Sequence, residues 1–118
     1  MLRQVPPILS PQQQDHLRVL AQQGCPNEVC GVVYEHDIIV QYTNVSPTPD
    51  KNFDAEIDLE GVKAIWHSHP NGPSHFSDDD LKFIGHCEAH GFRFRHILVL
   101  LDEVKEFEVL SDTATPAA

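Results

Sequence analysis

The chain has 118 residues, the length of one ordinary domain whose core needs neither disulfides nor a structural metal. Its content of 41% hydrophobic and 22% charged residues is typical of a soluble domain, and no apolar run approaches the roughly 20 residues that span a bilayer. Eight basic and 18 acidic residues give a net charge of −10, which would repel nucleic acids and anionic lipids. We therefore expect one domain over residues 1–118, with no nucleic-acid or membrane partner.

The first half of the chain predicts a helix followed by a β-hairpin. Ser10 and Pro11 form a typical helix start, and apolar residues at helical spacing predict a helix from about residue 11 to 23. Two runs rich in β-branched and apolar residues, 29–34 and 38–42, flank a short polar turn and predict the hairpin.

The second half predicts a long loop, a buried strand, a second helix and two more strands. The polar, proline-containing residues 43–55 are predicted to form a surface loop. The apolar run 62–66 suits a buried strand, and Ser77 can cap a helix that continues towards Gly91. The last two predicted strands are 92–101 and 104–109. Together the elements predict a mixed α/β sandwich, with a mainly antiparallel sheet flanked by two helices.

The cysteines and the N-terminus indicate a reducing, cytoplasmic location. Cys25, Cys30 and Cys87 are odd in number and unevenly spaced, so they suit neither a disulfide framework nor a four-thiolate zinc site. We expect each to be a buried, reduced side chain. Residues 1–8 lack the apolar stretch and cleavage site of a secretory signal.

Two histidines and an aspartate form a candidate metal site. His67 and His69 directly follow the predicted strand 62–66, and alternate side chains of an extended backbone point to the same side. Asp80, in the first turn of the predicted second helix, can add an oxygen ligand. Two imidazoles and one carboxylate leave the fourth tetrahedral position open for water, which is typical of a catalytic zinc. We predict one zinc ion per chain.

Hydrolysis at such a site needs a base and a donor to the developing oxyanion. A carboxylate outside the ligand set usually takes the proton of the attacking water, and Glu28, which precedes an apolar strand, is the candidate. The Ser77 hydroxyl, three residues before Asp80, is the candidate oxyanion donor, and helix capping is its alternative role.

These residues resemble the pattern of the JAMM, or MPN-plus, metallopeptidases, which consists of an upstream Glu, His-x-His-Pro and Ser-x-x-Asp. The pattern reads here as Glu28, residues 67–70 and residues 77–80. Ten residues separate His69 from Asp80, as in the family. The resemblance also selects Glu28 over the other acids of the chain.

The resemblance extends over roughly residues 12–109 and departs at Phe76, where many members have proline. Further similarities are found at four places: Trp66, Glu-x-Cys-Gly at 28–31, Asn44 and Phe53. It implies an MPN or cytidine-deaminase-like sandwich and a zinc-dependent peptidase or isopeptidase acting on a protein or peptide. We expect Trp66 itself to belong to the core.

Two family branches and two rival functions remain open. Glu-x-Cys-Gly and Cys-Glu-Ala at 87–89 resemble the peptidase domain of phage-tail assembly proteins, whereas another branch cleaves ubiquitin-like or sulfur-carrier proteins. A non-catalytic MPN-type binding module usually loses ligands, and all five functional positions are present here. Zinc used only for stability would retain no exchangeable water. The other six histidines have no comparable partners and are expected to be ordinary surface or core residues: His16, His36, His75, His86, His90 and His96.

Overall fold

The protein, described by a computed structural model over residues 2–109, contains one sheet and two α-helices in that range. In chain order the elements are β1 (Leu2–Val5), α1 (Pro11–Gly24), β2 (Cys30–Tyr34), β3 (Ile38–Tyr42), β4 (Val62–Ser68), α2 (Asp78–Ala89), β5 (Arg95–Val99) and β6 (Val104–Val109). The strand order is β1-β6-β5-β4-β2-β3. The central pair β4 and β5 is parallel and the other pairs are antiparallel, which confirms the predicted fold class.

Both helices begin with the caps that the sequence predicts. The Ser10 hydroxyl accepts a hydrogen bond from the Gln13 N–H, and the Gln13 side chain accepts one from the Ser10 N–H. Ser77 and Asp80 repeat this reciprocal arrangement at the start of α2. Each capping box satisfies two backbone N–H groups that the first helical turn leaves free. Neither helix in the described range has the length and apolar content needed to cross a membrane.

The helices cover opposite faces of the sheet. Leu17 of α1 packs with Trp66 of β4 in one core cluster, and Cys87 of α2 packs with Ile65 in another. Because side chains alternate along a strand, Trp66 faces α1 whereas Ile65 and His67 face α2. Trp66 is fully buried, as predicted for a core residue.

Gly31 allows the Trp66 ring to lie close against β2. A Cβ atom at position 31 would lie 1.9 Å from the Val40 carbonyl oxygen and 2.8 Å from the Trp66 ring. Real Cβ atoms do not approach so closely, so this position accepts only glycine without a shift of the sheet.

The N-terminal strand β1 is an element that the sequence analysis missed. It pairs antiparallel with β6, and the segment after it is held by Glu106, a fully buried residue of β6. The Glu106 carboxylate accepts hydrogen bonds from the N–H groups of Ile8 at 3.1 Å and Leu9 at 3.2 Å. Arg95 lies 3.4 Å from the same carboxylate. Ile8 and Leu9 lie 98 and 97 residues before Glu106 in the sequence, so local patterns do not reveal these contacts.

Three further expectations need correction. Strand β4 continues to Ser68, so that His67 lies within the strand and not after it. Strand β5 is shorter than the predicted 92–101. Cys25 is exposed, because it lies at the surface turn that ends α1, and the expectation of a buried side chain was wrong there. Cys30 and Cys87 are buried, and all three cysteines are free.

Candidate metal centre

The two histidines lie at the end of β4 with their rings on the same side. The His69 N–H donates to the Val99 carbonyl at 3.0 Å, which extends the β4–β5 pairing beyond the strand. His69 Nδ1 lies 3.0 Å from the Pro73 carbonyl oxygen, which can only accept, so this nitrogen carries the proton and leaves Nε2 free as a ligand. His67 Nε2 and His69 Nε2 are 3.2 Å apart, which confirms that the two rings converge.

Asp80 meets both histidines from the first turn of α2. Its Oδ2 atom lies 3.2 Å from His67 Nε2 and 2.9 Å from His69 Nε2. The Ser77 N–H donates to the same oxygen at 2.9 Å and fixes its position at the helix start. The helix cap therefore also orients the carboxylate.

The spacing of these three atoms fits a zinc ion. Ligands bound at about 2.0–2.1 Å in a tetrahedron lie about 3.3 Å from one another. The observed separations between the nitrogen and oxygen atoms of His67, His69 and Asp80 are 3.2, 3.2 and 2.9 Å. Imidazole nitrogen and carboxylate oxygen are also the ligand types that zinc prefers.

Glu28 is buried beside the histidines, two residues before β2. Its Oε2 atom lies 4.0 Å from His69 Nε2, and its buried Oε1 atom has no hydrogen-bond partner within residues 2–109. A buried carboxylate oxygen without a partner is costly, and a nearby cation would offset that cost. Ligand atoms of Glu28, His67 and His69 lie within 4.8 Å of one another, so these three residues could hold a metal ion. Asp80 lies closer to His69 than Glu28 does.

The two carboxylates of the site have opposite electrostatic environments. Burial favours the neutral form of Asp80, but its contacts with His67 and His69 outweigh burial and hold its pKa well below the usual range. Burial raises the pKa of Glu28 to about 7, against the effect of His69 and with a contribution from the negative charge of Asp80. Asp80 is therefore ionised at neutral pH, as a metal ligand must be.

Ser77 has the capping role that the sequence analysis considered, and it also reaches a cleft. Its hydroxyl oxygen accepts the Asp80 N–H at 3.1 Å, which uses a lone pair and leaves the hydroxyl proton available. Ser77, Glu28 and His69 line a cleft of about 240 Å³. Capping and donation into the cleft are therefore compatible, and the oxyanion role stays a prediction.

Ser68, the residue between the two histidines, is a site residue that sequence reasoning missed. It is fully buried, its hydroxyl accepts the Val29 N–H at 2.9 Å, and its own N–H donates to the Val29 carbonyl at 2.9 Å. These bonds tie the strand of the histidines to the residue after Glu28. Alternation predicts that Ser68 points away from the histidines, but its partner could not be identified from the sequence.

Two aromatic residues pack against His67. The centre of the Phe53 ring, on the long loop, lies 4.6 Å from the centre of the His67 ring, and the centre of the Phe76 ring lies 5.6 Å from it. Phe76 also packs against Phe107 and is buried. Phe76, at which the chain departs from the family pattern, thus has an apolar role beside the candidate metal centre.

Comparisons with known proteins bear on the family and the fold of the chain. The family model for prokaryotic homologues of the JAB domain matches residues 10–109. The solution structure of protein DSY2949 from Desulfitobacterium hafniense is similar, with a TM-score of 0.62 and 20% identity over 88% of this chain and 84% of that chain. At that identity the likeness shows the fold alone. No curated protein matches the chain. The family match covers most of the chain and confirms the resemblance to JAMM/MPN proteins. The chain therefore belongs to the family of prokaryotic homologues of the JAB domain.

Proposed function

We propose that the protein is a zinc-dependent peptidase that hydrolyses a peptide or isopeptide bond in a protein or peptide substrate. One observation carries this proposal. The ligand atoms of His67, His69 and Asp80 converge at 2.9–3.2 Å beside Glu28, whose carboxylate is buried without a hydrogen bond from the described residues.

Each residue of the site has a separate role in the proposed reaction. His67, His69 and Asp80 would hold the ion. Zinc bound there would supply Lewis acidity, which polarises the substrate carbonyl and makes a water molecule easier to deprotonate. Glu28 accepts the proton of the attacking water and returns it to the leaving nitrogen. The Ser77 hydroxyl donates a hydrogen bond to the developing oxyanion.

Two clefts that share Glu28 favour an extended substrate. The cleft of about 240 Å³ lies on the side of His69 and Ser77, and a second cleft of about 450 Å³ is lined by Glu28, Tyr42 and Asn44. An extended chain laid through both clefts would carry its cleavable bond past Glu28. A protein tail or a linear peptide fits this arrangement better than a compact metabolite.

A cleavage screen with and without a chelator tests the proposal. The zinc-loaded protein would be incubated with peptide libraries and with fusions to ubiquitin-like and sulfur-carrier proteins, and the products would be identified by mass spectrometry. We expect cleavage that the chelator abolishes and added zinc restores. The cleaved class separates a phage-tail type of peptidase from one that processes ubiquitin-like proteins. Binding without cleavage by the zinc-loaded protein would instead indicate a non-catalytic module.

A further inference from the structure

The position of the Glu28 carboxylate depends on the main chain. Glu28 precedes β2, so no strand partner holds its backbone. Within residues 2–109, its Oε1 atom has no hydrogen-bond partner, and its Oε2 atom lies 4.0 Å from His69 Nε2, beyond hydrogen-bond distance. Whatever fixes the Glu28 main chain therefore also places its carboxylate.

Asn44 provides one of the main-chain contacts of Glu28. Its Nδ2 atom donates to the Glu28 carbonyl at 2.8 Å and to the Asn52 carbonyl at 3.1 Å. Its Oδ1 atom accepts the N–H groups of Ser46 and Asp54, each at 3.0 Å. Carbonyls around the nitrogen and N–H groups around the oxygen leave only one orientation of the amide.

The loop that Asn44 organises also holds the other side of Glu28. The Glu28 N–H donates to the Pro49 carbonyl at 2.7 Å, and Pro49 lies between the loop residues that Asn44 binds. The same loop carries Phe53, whose ring packs against His67. Asn44 thus connects the main chain of Glu28 with the loop that covers one of the histidines.

We propose that Asn44 is a positioning residue, which fixes the main chain of Glu28 and thereby holds its carboxylate beside His69. This inference rests on the proposed function, because it assumes that Glu28 takes part in the reaction. A displacement of about 1 Å of a reacting group can lower a rate on the order of a hundredfold. Asn44→Ala is accordingly expected to lower kcat about 10- to 100-fold, with little change in KM or zinc content.

Asn52→Ala is the matched control, because Asn52 lies in the same loop and, among the described residues, its side chain accepts hydrogen bonds only from the hydroxyls of Ser46 and Thr48. We expect it to retain the kcat of the parent protein. A double-mutant cycle compares Asn44→Ala in the parent protein with Asn44→Ala in the Glu28→Gln variant. Because the Glu28→Gln variant has no base left to position, Asn44→Ala should lower its residual rate less than about twofold. Equal losses in both backgrounds would show that Asn44 does not act through Glu28 and would overturn the proposal.

Amide hydrogen exchange of the chelator-treated protein tests the positioning without relying on activity. In Asn44→Ala the Glu28 amide should exchange at least about tenfold faster, whereas the Val29 amide, bonded to Ser68, should keep its rate. Asn52→Ala should change neither. An unchanged Glu28 amide in Asn44→Ala, equal acceleration at Val29, or rapid Glu28 exchange in the parent would overturn the inference. If the parent protein cleaves no substrate, the proposed function fails, and the exchange rates still decide whether Asn44 holds Glu28.

Discussion

At the scale of single residues, Glu28 is distinguished by a buried carboxylate that forms no hydrogen bond with the described part of the chain. The substitution Glu28→Gln keeps the shape of the side chain but removes its ability to accept a proton. We predict that the variant folds normally and loses about 10²- to 10⁴-fold in kcat, the contribution typical of a general base. Turnover and thermal unfolding would be measured together, with the exposed Glu35→Gln as control. Cleavage at the parent rate would assign the base to another group.

The variant Ser77→Ala tests whether Ser77 has a catalytic role in addition to its structural one. Loss of the oxyanion donor in Ser77→Ala should lower kcat on the order of a hundredfold, with a small change in KM. Loss of the cap should also cost about 1 kcal/mol of stability. Ser10→Ala, which removes the corresponding cap of α1, controls for the stability effect. If Ser77→Ala lowered the unfolding temperature but left kcat unchanged, Ser77 would act only as a helix cap.

The residues of the site differ in how far the sequence reveals them. His67, His69 and Asp80 are local signals, since strand alternation and a helix start suffice to bring their ligand atoms together. The family resemblance, and not a local pattern, identifies Glu28, because its approach to the histidines depends on the β2–β4 pairing. The contacts of Ser68 and Asn44 join distant segments, and no pattern in the sequence fixes them.

At the scale of elements, the packing of β2 depends on Gly31. A side chain there would meet the Val40 carbonyl of β3 and the Trp66 ring of β4. We predict that Gly31→Ala lowers the free energy of unfolding by about 3 kcal/mol, the upper range for overpacking a core. Gly85→Ala in α2 is the control, because within residues 2–109 no atom other than its chain neighbours and the backbone of its own helix lies within 4 Å of the new Cβ. It should stabilise the helix by up to about 1 kcal/mol. Chemical denaturation measures the free energy of unfolding of both variants. Equal changes in Gly31→Ala and Gly85→Ala would contradict this account.

His96 of strand β5 makes the stability of the protein depend on pH. Its side chain is buried, and its Nε2 atom has no hydrogen-bond partner in residues 2–109. Burial, with a smaller effect of His67, lowers the pKa of His96 to about 4. In the unfolded chain the pKa of His96 is about 6.5. Between pH 6.5 and pH 4, His96 therefore binds a proton in the unfolded chain but not in the folded protein, so the free energy of unfolding decreases as the pH falls through this range.

For His96, the loss between pH 7.5 and pH 5 should be about 2 kcal/mol in the metal-free protein. We predict that His96→Leu shows a correspondingly smaller fall of the unfolding free energy over that range. Denaturant titrations at both pH values, with the exposed His16→Leu as control, measure the difference. The same pH dependence in His96→Leu and the parent would exclude His96 as its source.

Elements with local signals were predicted well, and those that depend on distant pairing were not. The serine caps of both helices and the hairpin of β2 and β3 are short-range features, and the structure confirms them. The four-residue strand β1 has no local signal strong enough to identify it. Its pairing with β6 and the buried Glu106 depend on contacts between the two ends of the chain.

At the scale of the whole molecule, the candidate metal centre lies where the topology brings three elements together. β4 and β5 form the parallel pair in the middle of the sheet, and α2 connects them. The carboxyl end of β4 and the start of α2 therefore lie next to each other, as at the ligand sites of other sheets with parallel strands. The ion would be held by the end of a central strand and the start of the helix that follows it.

Zinc analysis of ligand and base variants tests the central claim most directly. Purified parent, Glu28→Gln, His67→Ala and Asp80→Ala proteins would be dialysed and analysed by mass spectrometry for metal per chain, with the exposed His75→Ala as a control for histidine loss. We predict about one zinc per chain in the parent, Glu28→Gln and His75→Ala, and close to none in His67→Ala and Asp80→Ala, since three protein ligands hold a catalytic zinc. Unchanged zinc in both ligand variants would contradict the account, and loss of zinc in Glu28→Gln would make Glu28 a ligand.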